Sequence, residues 1–219
     1  MQEKIPFELF GLHLLEPMAV IMNLVIASFC FFAYATLKNP SKDPALTNWR
    51  LFYLIFGIST VAGSLGHAFF NYWGFAGKFP CWTTGCVANA FAAMGMIQFK
   101  GFSMPNKAVV AVIWIKSIGL AILSLITLKF IFVAVDAILT YLAFAGVFGY
   151  VLYRRGLDEM KYTVIGVLIL LPSAPIFILK LNPDPWFNKD DLSHVLMLVC
   201  IACFYVTLKK WSARIGSSR

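Results

Sequence analysis

The chain has 219 residues, of which 60% are hydrophobic and 13% charged, with a mean hydropathy of +0.80. An ordinary soluble domain runs nearer half apolar and a quarter charged, so the composition excludes one, and an apolar excess of this size has to face lipid. Lys and Arg outnumber Asp and Glu by 18 to 10, a net charge of +8. In a membrane protein that balance first reports which side the basic loops occupy, and basic residues spread over loop ends form no groove-tracking stripe for nucleic acid.

Seven stretches are apolar and long enough to cross the hydrocarbon as helices, at about 20 residues each: 17–37, 51–73, 82–99, 108–128, 130–153, 162–179 and 192–208. They predict one domain over residues 1–219, an all-α, polytopic seven-transmembrane-helix bundle with short loops. The segment before the first span carries Glu3 and Glu8 beside Lys4, unlike the basic start of a secretory leader, so the first span is expected to be retained. Asn39-Pro40-Ser41, Met104-Pro105-Asn106 and Asn182-Pro183-Asp184-Pro185 supply polar breaks. The run from 108 to 153 is too long for one crossing and has to turn at Leu128, Lys129 and Phe130. Pro172 and Pro175 predict a kink in the sixth span. Trp49, Trp73, Trp82, Trp186 and Trp211 fall at span ends, where an amphipathic ring is favoured.

Twelve Lys and Arg residues share a side with the C-terminus and five lie on the other, which predicts an outer N-terminus and a cytoplasmic C-terminus. The expected location is a multi-pass position in a plasma or inner membrane. Cys30, Cys200 and Cys203 read as small packing residues inside helices. Cys81 and Cys86, at the outer end of the third span, are compatible with a short-loop disulfide or with two free packing thiols.

Ionisable groups within spans are expensive, which makes each a candidate functional group. Glu16 stands at the outer start of the first span. His67 lies six residues before the outer end of the second and Asp136 six residues after the outer start of the fifth, each about 9 Å deep. His194 opens the seventh span, with Asp190 and Asp191 just before it. All fall in one leaflet. Asp190 and His194, four apart, face the same way and suit a shared cation, with Asp191 placed to orient the imidazole. Asn188, Lys189, Asp190 and Asp191 equally describe a helix N-cap that needs no metal. Lys116 and Asp136 read as an interhelical ion pair or polar contact rather than a proton relay. The Gly63-Ser64-Leu65-Gly66 stretch lacks the spacing of a serine-hydrolase elbow and reads as small-residue helix packing.

This layout resembles the CREST superfamily of seven-helix membrane proteins, which includes alkaline ceramidases and adiponectin/progestin-type receptors. In that group a histidine near the end of helix two, preceded by a serine four residues earlier, joins an H-x-x-x-H pair at the start of helix seven to hold zinc. The matching segments are Gly63-Ser64-Leu65-Gly66-His67 and Asp190-Asp191-Leu192-Ser193-His194, with Glu16 in the place of a ceramidase-type helix-one glutamate. The resemblance implies zinc on His67, His194 and Asp190, with Glu16, Asp190 and Ser64 in catalytic roles and Asp191 and Asp136 supporting them. The implied activity is metal-dependent hydrolysis of an amide or ester bond of a lipid, with the lipid bilayer as partner and the Pro172/Pro175 kink as an opening. Two departures stand out: Gly63, not serine, lies four before His67, and Leu198 occupies the second histidine position. The alternative is a non-catalytic lipid or small-molecule binder, or a subunit of a membrane assembly. A proton-coupled carrier and a retinal photoreceptor fit less well, lacking repeated halves and a lysine within 192–208.

Overall fold

The computed structural model describes residues 5–39, 41–99, 107–179, 181–184 and 186–217. The breaks at Pro40, Met104-Pro105-Asn106 and Pro185 lie outside the described residues, as do Glu3, Lys4, Lys100, Lys180 and Arg219. The described chain is helical apart from one β hairpin and short connections. Six of its helical segments, Pro17–Thr36, Pro44–Ala68, Lys107–Thr127, Ile131–Arg154, Met160–Phe177 and Lys189–Ser217, are long and apolar enough to cross a membrane. The chain is therefore an integral, multi-pass membrane protein.

Helix α1 spans Pro17–Thr36 and α2 spans Pro44–Ala68. The second starts seven residues earlier than hydropathy suggests because Asp43 accepts from the amide of Leu46 (2.9 Å) and Pro44 sits in the first turn, where its missing N–H costs nothing. After α2 the chain breaks into α3 (Phe70–Trp73) and a 3₁₀ turn (Gly74–Lys78) before α4 (Phe79–Ile97). Helix α5 (Lys107–Thr127) and α6 (Ile131–Leu139) meet at the expected turn, which Leu128 makes with a left-handed φ of 56°. Helix α6 continues through a π-helical stretch, Thr140–Phe148, into α7 (Gly149–Arg154).

Helix α8 (Met160–Leu170) stops before Pro172, whose ring clashes with the preceding turn and which has no N–H to give, and α9 (Ser173–Ile178) follows. Helix α10 (Lys189–Ser217) runs well past the apolar limit at 208, because Trp211, Ser212 and Ile215 still pack inside the bundle.

Helix α4 is not among the six long apolar segments, and its environment explains why. It packs against α2, α5 and the α6–π segment, and eleven of its 19 residues are buried, most of them Ala or Gly. A helix enclosed by other helices needs small residues for close approach rather than large apolar ones for lipid. The core beside it holds Trp49, Phe52, Tyr53, Met96, Ile201 and Phe204, with the Tyr53 hydroxyl donating to the Ile201 carbonyl (2.8 Å).

One expectation needs correction, and one open alternative is decided. Trp49, Trp82 and Trp211 are buried at 1%, 4% and 4% exposure and serve the core, so only Trp73 and Trp186 among the five present their rings outward. Cys81 and Cys86 are free thiols.

A β hairpin precedes α1, pairing β1 (Pro6–Leu9) with β2 (Leu12–Leu15) through Phe10 and Gly11, both at positive φ as a type I′ turn requires. Close approach is tightest where α2 meets the 3₁₀ turn: a Cβ on Gly66 would lie 2.5 Å from the Gly77 carbonyl oxygen, a backbone atom with no side-chain freedom. Gly66→Ala is therefore expected to destabilise the protein by about 1–3 kcal/mol. Thermal unfolding in detergent checks it, with Gly119→Ala, where the space is open, as a control.

Candidate functional site

The start of α1, the end of α2 and the start of α10 come together at one end of the bundle, and each carries ionisable residues. Glu16 is held in a left-handed conformation, φ 57°, between the hairpin and Pro17. Its amide donates to the Ile5 carbonyl (2.8 Å), and its own carbonyl accepts from Val20 as the first turn of α1 closes (3.1 Å). A non-glycine residue in that region carries about 1–3 kcal/mol of strain, which the surrounding contacts must offset. The hairpin is tied down in turn: Asn71 donates to the His13 carbonyl (3.2 Å), and the Tyr72 hydroxyl accepts from the His13 amide (3.2 Å).

This anchoring sets the Glu16 carboxylate against His67, with Oε2 2.7 Å from Nδ1 and both side chains mostly buried. A carboxylate on Nδ1 fixes the imidazole so that Nδ1 carries a proton and Nε2 is left for other work. Ser64, one turn earlier on α2, is buried and donates to the Val20 carbonyl on α1 (3.3 Å). Gly63 lies against Asn23 and Cys81, in keeping with the small-residue packing expected there.

On α10 the capping reading is realised. Asn188 accepts from the amide of Asp190 (2.8 Å), and Asp191 Oδ2 accepts from the amide of Asn188 (3.0 Å), a reciprocal capping box. Asp190 turns aside to the Lys189 ammonium (3.2 Å). Asp191 is fully buried, and among the described residues neither its second oxygen, Oδ1, nor the buried Nδ1 of His194 has a hydrogen-bond partner. Asp191 lies within electrostatic reach of His67 and Glu16, and His194 within reach of His67. Glu16, His67, Asp191 and His194 are thus one polar cluster, and Asp190 is at its edge.

A catalytic zinc takes three protein donors with a fourth position open. Among the described residues, no group of three or more His, Cys, Asp or Glu is placed to hold a metal ion. His67 Nδ1 is committed to Glu16 and the Asp190 carboxylate to Lys189. The donors as placed do not fit zinc.

Asp136 belongs to a second cluster. It is fully buried, and its carboxylate accepts from the Lys116 ammonium, from Ser117 Oγ (2.9 Å) and from Asn89 Nδ2 (2.9 Å). Lys116 also donates to Thr140 Oγ1 (2.8 Å), at the start of the π-helical stretch. Asn89, Ser117 and Thr140 complete the pair that sequence predicts, and spacing offers a signal for two of them: Ser117 adjoins Lys116, and Thr140 is one helical turn after Asp136. An apolar hollow of about 420 Å³ lies on the flank of α2, lined by Ala62, Leu65, Trp73, Ala76, Gly77 and Pro80.

Breaking the buried pair from one side is expected to be severe. Lys116→Met leaves Asp136 an uncompensated charge and should cost about 3–5 kcal/mol, whereas adding Asp136→Asn should recover most of the loss. Thermal unfolding of the two variants in one detergent checks this, and additive losses would contradict it.

No curated protein and no solved structure matches the chain. A family model matches residues 18–213, nearly the whole length and including the two helices that carry His67 and His194, and the chain belongs to that family, DUF6962, a family of unknown function.

Proposed function

We propose that the chain is a membrane-embedded hydrolase acting on an amide or ester bond of a lipid, with its acid–base group at the outer end of the bundle. The observation that carries this reading is the 2.7 Å contact between Glu16 and His67 Nδ1, which orients an imidazole that lies within electrostatic reach of Asp191 and His194 and leaves its Nε2 free of Glu16. A carboxylate-oriented histidine is a general base. Nε2 takes a proton from water as the hydroxide oxygen bonds to the lipid carbonyl carbon. The same proton then passes to the leaving nitrogen or oxygen as its bond to that carbon breaks. His194 would donate a ring N–H to the oxyanion, and Ser64 supports the α1–α2 contact.

The apolar hollow beside α2 suits an acyl chain. The resemblance to ceramidase-type CREST proteins agrees with the lipid class, while the zinc it implies has no ligand set among the described residues.

Hydrolysis of ceramide-type amides and phospholipid esters in proteoliposomes tests the proposal. His67→Ala should lower the rate by about a hundred- to ten-thousandfold, and Glu16→Gln should lower it as well. A second reading, binding without bond cleavage, is favoured by Asp191 Oδ1 and His194 Nδ1, which have no hydrogen-bond partner among the described residues and suit the polar group of a ligand. It predicts saturable lipid binding, lost in His194→Ala, and no hydrolysis.

We infer further that α4 crosses as a seventh span, and that the basic end carrying the C-terminus faces the cytoplasm. A green fluorescent protein fused after Arg219 should fluoresce and an alkaline phosphatase fused there should be inactive; the reverse result would invert the topology.

A further inference from the structure

At the end of the bundle opposite the Glu16–His67 cluster, the start of α8 and the last turns of α10 form a groove of about 230 Å³, lined by Asp158, Glu159, Lys161, Tyr162 and Lys210. Its walls are fixed by polar contacts. Arg214 donates to both carboxylate oxygens of Glu159 (3.2 Å each), Thr207 donates to the Glu159 carbonyl (3.1 Å), and Thr163 and Thr207 share a hydrogen bond (2.9 Å). Glu159 is thereby committed to Arg214.

The two lysines are differently placed. The Lys161 and Lys210 ammonium groups lie 5.2 and 5.5 Å from the centre of the same ring, that of Tyr162, and neither forms an ion pair among the described residues. Two cations gathered on one aromatic ring without a carboxylate partner invite an anion. The groove sits where two apolar spans end, the depth at which phospholipid headgroups lie, and Tyr162 is an interfacial residue type.

We propose that this groove binds an anionic phospholipid, its phosphate held by Lys161 and Lys210 over Tyr162 and its glycerol headgroup hydroxyls donating to Asp158. The site is independent of the lipid hydrolysis assigned to the other end, since none of its residues belongs to the Glu16–His67 cluster.

The test is thermal stability in detergent micelles doped with phosphatidylglycerol, phosphatidylethanolamine or phosphatidylcholine, or supplied with inorganic phosphate. Phosphatidylglycerol alone should raise the midpoint. Lys161→Met with Lys210→Met keeps the apolar stems and should weaken the lipid's apparent affinity by about 30-fold, at about fivefold per basic residue near a headgroup. Lys161→Arg with Lys210→Arg should retain it, which separates lost binding from a damaged fold should the methionine variant unfold. Lys38→Met with Lys42→Met, basic residues outside the groove, should leave the response unchanged. An equal shift with inorganic phosphate, phosphatidylethanolamine or phosphatidylcholine would overturn the proposal. So would a phosphatidylglycerol response that survives in the methionine variant or disappears in the arginine one.

Discussion

The contact between the Glu16 carboxylate and His67 Nδ1 closes one end of the bundle, and the rest of the candidate site depends on it. Glu16 reaches that position only because a left-handed residue turns the chain from a β hairpin into α1, and the hairpin is itself bound to the turn that follows α2. The contact thus joins the segment entering α1 to the end of α2. It also decides which nitrogen of His67 remains available, and therefore what chemistry that end of the protein can perform.

The two polar clusters differ in how their ionisable groups are met. Around Asp136 every strong charge is met: one ammonium, one hydroxyl and one amide surround the carboxylate, and Lys116 finds further acceptors in the Asp136 carbonyl and Thr140. A buried charge met in this way rigidifies a core, and among the described residues only the neutral Asn89 Oδ1 of this cluster is buried without a hydrogen-bond partner. At the Glu16–His67 end, Asp191 Oδ1 and His194 Nδ1 are buried with no hydrogen-bond partner among the described residues, a costly arrangement for a merely structural cluster. In the proposed reading the ionisable groups left unmet at the Glu16–His67 end serve function, and the fully met ion pair at the Asp136 end serves stability.

Much of the fold was legible in the sequence, because hydropathy directly reports a helix that faces lipid. The turn at Leu128 and the break at Pro172 lie where apolar length and proline chemistry demand them. Hydropathy is blind where packing decides. It overran the end of α2, since Phe69, Phe70 and Trp73 are apolar enough to continue a span, and it stopped α10 short of residues that pack in the core. The hairpin escaped notice because Phe10 occupies a position that Asn or Asp more often signals. Glu16, His67, Asp191 and His194 were all visible as ionisable groups near one end. The direction of each side chain was not, so Asp190 and Asp191 exchanged prominence once the capping box fixed which carboxylate turns inward.

The protonation and bonding of the His67 ring test the central claim most directly. With ¹⁵N-histidine label in the protein reconstituted in lipid, the account predicts an Nδ1-protonated ring whose proton resonates far downfield in its bond to a carboxylate, and loses that shift in Glu16→Gln. A His67 signal protonated at Nε2 instead, or one indifferent to Glu16→Gln, would contradict the account.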